Sequence, residues 1–330
     1  MKAKVALAII SVFLSLILME ILVRLIKPDD YSSFFTHSSS TWTKDSANLP
    51  EIIRPSKFTG YELIPHKGEG IFKVNSLGIM DRERSVEKAK NAFRIMVLGD
   101  SVSINQRSYV GILENMLNGD NGKYKFEVWN CAVPDYNTIQ ECSWLKNKGL
   151  KFYPDLVILG FCLNDFEVTP ILVKEGRKVV IYWPKREVAR FINPFLFQHS
   201  RLYRHLIYGL LFNRRCDQQK TLYQLARDSL AQTSNLLAFK NINFFVVVFP
   251  YFKNYESYSP WEKWQYASIM KILKELNIGF LDLTVTFHKA GMNMEKVSIE
   301  DGIHMNSEGH KLAAEVILKN LFDKKLIPDS

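Results

Sequence analysis

Two widely separated polar groups in the sequence have residue types that suit nucleophilic catalysis. Ser101 directly follows an apolar run and Asp100, while Asp301 lies three residues before His304 and just ahead of a helix-period segment. A histidine can accept the proton of a serine hydroxyl, and a carboxylate at this spacing can hold the imidazole in the tautomer that leaves its other nitrogen free. Each part alone is common, because a serine at a helix start is usually an N-cap. Together they predict attack by Ser101 on a carbonyl carbon.

Three further groups could stabilise the negative charge that this attack creates. Asn164 follows another apolar run, and its side-chain amide can donate to an oxyanion, although a turn-stabilising asparagine is the commoner case. We expect Ser101 to begin the helix after its strand, where N–H groups point towards an anion. The N–H groups of Ser101 and Ala132 are the other candidate oxyanion donors.

The elements that must position these residues alternate along the chain. Short apolar runs predict strands buried on both faces, at Phe93–Leu98, Phe126–Trp129, Leu156–Leu159, Phe244–Phe249 and Phe280–Leu283. Helix-period segments lie between and after them, at Tyr109–Leu117, Thr138–Lys148, Thr221–Phe239, Trp261–Leu276 and Ser307–Phe322. This order predicts a parallel sheet covered by helices on both faces. In such folds the chemistry lies at the carboxyl edge of the sheet, where the candidate residues fall.

Four sequence blocks together resemble those of the SGNH (GDSL-type) hydrolase family, which is named after the Ser, Gly, Asn and His of its blocks. In chain order they are Gly99-Asp100-Ser101, Asn130 to Thr138, Gly160 to Asp165, and Asp301 to His310. Upstream, Val74 to Gly78 followed by Asp81-Arg82-Glu83 resembles a segment that precedes the first block in membrane-anchored bacterial members.

The resemblance implies a flavodoxin-like three-layer α/β/α sandwich with a parallel sheet, the SGNH hydrolase fold. It also implies ester hydrolysis or acyl transfer without a metal or other cofactor. Ser101 would be the nucleophile, His304 the base and Asp301 the orienting carboxylate, with Asn164 and the N–H of Ala132 as oxyanion donors. The expected substrate is an O-acyl group on a cell-envelope polysaccharide or glycolipid.

Two departures from the family pattern bear on this interpretation. Ala132 stands where the family usually has glycine, and its Cβ would crowd the pocket. The residues after the nucleophile, Val102 to Asn105, lack the small glycine-containing turn of relatives. A second hypothesis therefore stays open, in which the chain is a catalytically silent glycan-binding or assembly module that retains the fold.

The N-terminal residues predict a membrane anchor. After Lys2 and Lys4, the stretch Val5–Met19 has no charge, and apolar residues continue beyond Glu20. About 18 apolar residues are enough for a transmembrane helix, and no small-x-small signal-peptidase site follows. The flanking basic residues weakly favour a cytoplasmic N-terminus, which would place the remaining chain outside the cytoplasm. The alternative is a buried N-terminal helix of a soluble protein.

The charge of the chain is concentrated in one segment. The 330 residues have a net charge of +9, but residues 171–220 contain eleven Lys+Arg and three Asp+Glu, a net of +8. We therefore expect an anchor at 1–27, a tether and lead-in segment at 28–92, and a hydrolase domain at 93–330 with a basic insertion at about 171–220. The candidate contacts to lipid or an anionic substrate are Arg201, Arg204, Arg214 and Arg215. The alternative is an ordinary surface helix.

Composition excludes several other classes. A hydrophobic content of 47% excludes a disordered chain, and four cysteines are too few for a disulfide-framed scaffold. A disulfide among Cys131, Cys142, Cys162 and Cys216 stays open. A metal site from Asp100, Asp165, Asp301 and His310 also stays open, although these residues have no recognised ligand spacing, and His310 is expected to be a structural or capping histidine. The anchor and the absence of a recognised binding motif disfavour nucleic acid as a partner. The sequence does not determine the oligomeric state.

Overall fold

The computed structural model describes residues 2–26, 52–104, 107–119, 122–166, 171–175, 178–182, 192–203, 206, 218–289, 294–299 and 301–328. The strands are β1 (Ile53–Ser56), β2 (Gly60–Leu63), β3 (Ala92–Gly99), β4 (Lys125–Asn130), β5 (Leu156–Cys162), β6 (Ile171–Glu175), β7 (Lys178–Tyr182), β8 (Asn243–Phe249) and β9 (Gly279–Asp282). The α-helices are α1 (Lys2–Ile26), α2 (Tyr109–Leu117), α3 (Thr138–Asn147), α4 (Pro194–His199), α5 (Gln218–Phe239), α6 (Pro260–Glu275), α7 (Leu283–Lys289) and α8 (Ser307–Asp323).

The centre of the fold is a five-stranded parallel sheet. Its strand order is β4-β3-β5-β8-β9, and every neighbouring pair is parallel. Numbered along the chain within this sheet, the order is 2-1-3-4-5, which is the flavodoxin-like order. The first strand, β3, therefore has one later strand on each side. Ligand sites of such sheets lie at this reversal, outside the carboxyl ends of the strands.

Helices cover both faces of the sheet, as the alternating sequence pattern predicts. Side chains alternate along β3, so that Ile95 and Val97 join the core on one face while Met96 and Leu98 join the core on the other. The first face is covered by α2, α7 and α8, and the second by α3, α5 and α6. Every residue of β5 is buried. The predicted fold class is confirmed.

Residues 52–92, which the sequence placed in the tether and lead-in segment, pack on the sheet. Their apolar side chains share a core with Met96 and Trp129. The antiparallel β1–β2 hairpin also supports the second sequence block. The hydroxyl of Tyr61 donates to the carbonyl of Pro134 at 2.6 Å, and the hydroxyl of Tyr136 donates to the carbonyl of Tyr61 at 2.5 Å. The packed domain therefore includes residues from Ile52 onwards.

The start of the helix after β3 differs from the prediction. Ser101 lies in a turn, because the carboxylate and the carbonyl of Asp100 accept the N–H groups of Val102 and Ser103 at 3.0 and 3.1 Å. The helix α2 begins only at Tyr109, after Ser108 as its N-cap. The expectation that Ser101 begins the helix is wrong. Its N–H nevertheless has no acceptor among the residues that the structure describes.

The helix α1 is long and apolar enough to cross a membrane. Its candidate span is Lys4–Ile26, and none of that span is buried inside the protein. The predicted basic insertion contains the β6–β7 hairpin, the short helix α4 and a helical turn at residues 201–203. The helix α4 packs against β6.

Candidate active site

The strand β3 delivers Ser101 to the reversal point of the sheet, and two glycines let it do so. Gly99 and Gly160 are paired across β3 and β5. A Cβ on Gly99 would lie 2.5 Å from the hydroxyl of Ser103, and a Cβ on Gly160 would lie 2.8 Å from the hydroxyl of Tyr109. These two hydroxyls hydrogen-bond to each other at 2.9 Å beneath the turn that holds Ser101. The glycines therefore allow a close-packed polar support under Ser101.

Three predicted residues meet at this point although two of them lie 200 positions further along the chain. The Oγ atom of Ser101 is 2.7 Å from Nε2 of His304. The Nδ1 atom of the same imidazole is 2.5 Å from Oδ2 of Asp301. With Nδ1–H donated to the carboxylate, Nε2 can accept the serine proton. The side chains of His304 and Asp301 are 35% and 31% exposed, so the site is open to solvent.

The loop that holds Asp301 is fixed by its own hydrogen bonds. Its Oδ1 atom accepts the N–H groups of Ile303 and His304, both at 2.9 Å. Gly302 has a φ of +67° and gives its carbonyl to the N–H of Phe252 at 2.8 Å, which ties the loop to the segment after β8. Burial alone would raise the pKa of Asp301, but the hydrogen bonds from His304 and Ile303 outweigh it and hold the pKa below its ordinary value. The carboxylate is therefore ionised and oriented at neutral pH.

The predicted oxyanion donors differ in their surroundings. Asn164 lies in a short 3₁₀ turn after β5, and its Nδ2 atom is 3.5 Å from Oδ2 of Asp100. The N–H of Ala132 donates to Oδ1 of Asn130 at 3.1 Å. Neighbouring side chains therefore accept from both Ala132 and Asn164, and the bond from Asn164 is the longer of the two. Asn130 also donates from Nδ2 to the carbonyl of Ser103 at 2.7 Å, so it links the second block to the turn at Ser101.

Three carboxyl groups are buried near Ser101: Asp100, Glu141 and Asp165. Burial raises the pKa of each, and their mutual repulsion raises those of Glu141 and Asp165 further. Neither carboxylate oxygen of Glu141 has a hydrogen-bond partner among the described residues. Thr138 donates to Asp165 at 3.1 Å. This environment favours the neutral form of Glu141 and Asp165.

His310 has a structural contact, as the sequence suggests. Its Nδ1 atom accepts the N–H of Tyr109 at 3.3 Å, which joins α8 to the start of α2. Burial, aided by the proximity of His304, lowers the pKa of His310 to about 4, so the ring is neutral at pH 7. Within the described ranges, no group of three or more His, Cys, Asp or Glu side chains is placed to hold a metal ion.

The sequence motifs did not reveal an ion-pair network that supports the second block. Arg84 is buried between Asp81, at 2.8 Å, and Glu114, at 2.7 Å, and donates to the carbonyl of Val128 at 2.7 Å. Asp81 in turn accepts the N–H of Asn130 at 3.0 Å. Asp81 lies in the upstream segment of the family resemblance, which is the only sequence signal that pointed to it.

The remaining predicted residues fall partly outside the described structure. Arg201 is half-buried and donates to the carbonyl of Arg24 at 3.4 Å. Arg204, Arg214 and Arg215 lie outside the described residues. The thiols of Cys131, Cys142 and Cys162 are buried and free of disulfides, while Cys216 lies outside the described residues.

No family model and no curated protein sequence matches the chain. Among solved structures, the fold is similar to an acetylxylan esterase from Geobacillus stearothermophilus at 12% identity and a TM-score of 0.48, covering 71% of this chain and 96% of that one. It is also similar to a lipase/acylhydrolase from Enterococcus faecalis at 14% identity and a TM-score of 0.46, covering 72% and 99%. A further acetyl xylan esterase has 12% identity and a TM-score of 0.45, covering 69% and 100%.

Proposed function

We propose that this chain is a membrane-anchored serine esterase or O-acyltransferase that acts outside the cytoplasm. The observation that carries the proposal is the unbroken path of hydrogen bonds from Ser101 through His304 to Asp301, with 2.7 and 2.5 Å between the joined atoms. This arrangement activates a serine hydroxyl for attack on an acyl carbon.

The reaction follows from these contacts. Oγ of Ser101 attacks the ester carbonyl while Nε2 of His304 takes its proton, and Asp301 stabilises the imidazolium. The Nδ2 atom of Asn164 and the N–H of Ser101 hold the oxyanion, and Ala132 joins them once its N–H leaves Asn130. Collapse of the intermediate expels the alcohol, which receives the proton from His304. The acyl group then passes to water or to a sugar hydroxyl, again with His304 as the base.

The location and substrate are part of the same proposal. The apolar helix α1 supports anchoring, because most of its apolar side chains are exposed and none of the candidate span is buried inside the protein. The exposure of His304 and Asp301, at 35% and 31%, favours an acyl ester on a bulky carrier, because the Ser–His–Asp group can be reached from solvent. An O-acyl group on a cell-envelope polysaccharide or glycolipid fits both features.

A fluorophosphonate probe and p-nitrophenyl acetate test the proposed chemistry on the full chain in detergent. Wild type should be labelled and should turn over the ester, whereas Ser101→Ala should lose both. The matched control is Ser257→Ala, which removes an exposed serine that bonds only to the carbonyl of Asn254 among the contacts described. Labelling that persists in Ser101→Ala would refute the nucleophile. If wild type shows no labelling and no turnover, the result would favour the catalytically silent glycan-binding or assembly module.

A further inference from the structure

The apolar helix α1 contains one acidic residue, and its position is costly for a membrane helix. Glu20 is the only Asp or Glu between Lys2 and Ile26. It lies six residues before Ile26, or about 9 Å along the helix axis. An ionised carboxylate at that depth needs partners, because intramembrane charges are costly when unpaired.

Three of the four hydrogen-bond donors to Glu20 come from the predicted basic insertion, about 180 residues away, and the fourth is Arg24 of the same helix. The Oε2 atom of Glu20 accepts the hydroxyl of Ser200 at 2.8 Å and the N–H of Leu202 at 2.9 Å. Its Oε1 atom accepts the N–H of Arg201 at 3.0 Å and Nε of Arg24 at 2.7 Å. Four donors thus surround one carboxylate.

The contact is reciprocal, which distinguishes it from a single surface ion pair. Arg24 donates from Nη2 to the carbonyl of His199 at 3.0 Å, and Arg201 donates from Nη1 to the carbonyl of Arg24 at 3.4 Å. The hydroxyl of Ser200 also accepts the N–H of Tyr203 at 3.0 Å. The N–H groups of residues 201, 202 and 203 are therefore all satisfied by protein atoms. Backbone that enters a bilayer must meet this condition.

The same segment exposes three large apolar side chains. Phe195, Leu196 and Leu206 are 68%, 41% and 48% exposed, next to a helix whose apolar side chains are exposed as well. Ile192 and Phe197 are buried, so the segment is also attached to the domain. The apolar surface of α1 thus continues onto the catalytic domain beside the Glu20 contact.

We infer that residues 192–203 and 206, which we name the docking segment, lie in the outer boundary of the phospholipid bilayer. Glu20 and Arg24 hold the docking segment against α1, and Phe195, Leu196 and Leu206 face lipid. The inference rests on the proposed membrane anchor. It gives the domain a second, noncovalent attachment that fixes its height and orientation above the membrane, and so the position from which Ser101 meets its substrate.

Spin labels on the full chain in phosphatidylcholine/phosphatidylglycerol vesicles test the inference. In a Cys216→Ser background, a nitroxide is placed at Phe195→Cys, at Leu14→Cys in α1, or at Phe239→Cys. Phe239 is 85% exposed and ends a 22-residue helix. Relaxation by oxygen reports lipid, and relaxation by a nickel chelate reports water. The label at 195 should resemble the label at 14, with several-fold higher oxygen than nickel accessibility, and the label at 239 should show the reverse.

A second set of variants tests the role of Glu20. Glu20→Ala should move the label at 195 towards water and leave the label at 14 in lipid. Met19→Ala, one residue away and outside the contact, should change neither label, and melting curves check that all variants fold. A water-accessible label at 195 with a lipid-embedded label at 14 would overturn the docking segment while the anchor stands. Water access at both sites would overturn the anchor itself, and a label at 195 that stays in lipid in Glu20→Ala would overturn the role of Glu20.

Discussion

Replacing Asp301 by asparagine separates the proposed catalytic role of this residue from its structural role. Oδ1 of Asp301 accepts the N–H groups of Ile303 and His304, both at 2.9 Å, and an asparagine oxygen can keep both bonds. In the wild type, Oδ2 of Asp301 lies 2.5 Å from Nδ1 of His304. In the variant, the NH₂ group of the asparagine would take the place of Oδ2 and face Nδ1. A donor there requires Nδ1 to be an acceptor, which puts the imidazole proton on Nε2. His304 could then not take the proton of Ser101.

The expected loss follows from this change of tautomer. The equivalent substitution in a Ser-His-Asp triad lowers kcat by about 10⁴-fold, or about 5 kcal/mol of transition-state stabilisation. The free energy of unfolding should change little, because both backbone bonds to Oδ1 remain. Asp301→Ala should lower activity and also destabilise the protein by about 0.5–1.5 kcal/mol, because two solvent-accessible N–H groups lose their acceptor.

The assay is hydrolysis of p-nitrophenyl acetate with thermal melting in parallel. Asp282→Asn is the matched control, since Asp282 likewise accepts N–H groups of the following turn, from Thr284 at 2.9 Å, and lies outside the triad. It should retain wild-type activity. Activity of Asp301→Asn within tenfold of wild type would refute the assignment of Asp301 as the residue that orients His304.

Three further predictions concern stability, measured as the free energy of unfolding of the full chain in detergent. Gly160→Ala should cost about 1–3 kcal/mol, because its Cβ would lie 2.8 Å from the buried hydroxyl of Tyr109. Gly279→Ala should be close to neutral, because the nearest atom to its Cβ would be 3.4 Å away. Equal losses in the two variants would contradict the packing argument. Arg84→Ala should cost about 3–5 kcal/mol, because buried Asp81 loses its ion-pair partner and Glu114 keeps only Arg82, whose side chain is 54% exposed. Arg82→Ala should cost less than about 1 kcal/mol, because Arg84 still pairs with both carboxylates; the reverse order would exclude the proposed network. Burial lowers the pKa of His310 from 6.5 to about 4, so neutral His310 contributes fully to the free energy of unfolding above pH 6.5. This contribution, on the order of 3 kcal/mol, is lost as the pH falls towards 4. His310→Gln should therefore flatten that part of the plot of unfolding free energy against pH.

The sequence predicts the elements whose signals are local. The short, mostly apolar runs predict all five strands of the sheet, and β5, buried along its whole length, is the plainest case. The bounds predicted for α2 match the structure because an amphipathic pattern follows a serine cap. The residues of the Ser–His–Asp group could be identified because each falls in a recognisable block.

What the sequence does not predict depends on contacts between distant residues. Arg94 interrupts an apolar strand yet is fully buried, because Glu127 pairs with it at 2.7 Å and its guanidinium lies over Trp129. The β1–β2 hairpin contains few apolar residues in sequence and gains its burial from tertiary packing. The contact of Glu20 with Ser200 joins residues 180 positions apart. No local pattern encodes such pairs.

Covalent labelling by a reactive probe is the most direct test of the claim that Ser101 is a nucleophile activated by His304. The full chain is incubated with a fluorophosphonate, and the modified peptide is located by mass spectrometry. The proposed function predicts a single adduct on Ser101, which disappears in His304→Ala because the hydroxyl loses its base at 2.7 Å. An adduct on another residue, or undiminished labelling of Ser101 without His304, would contradict it.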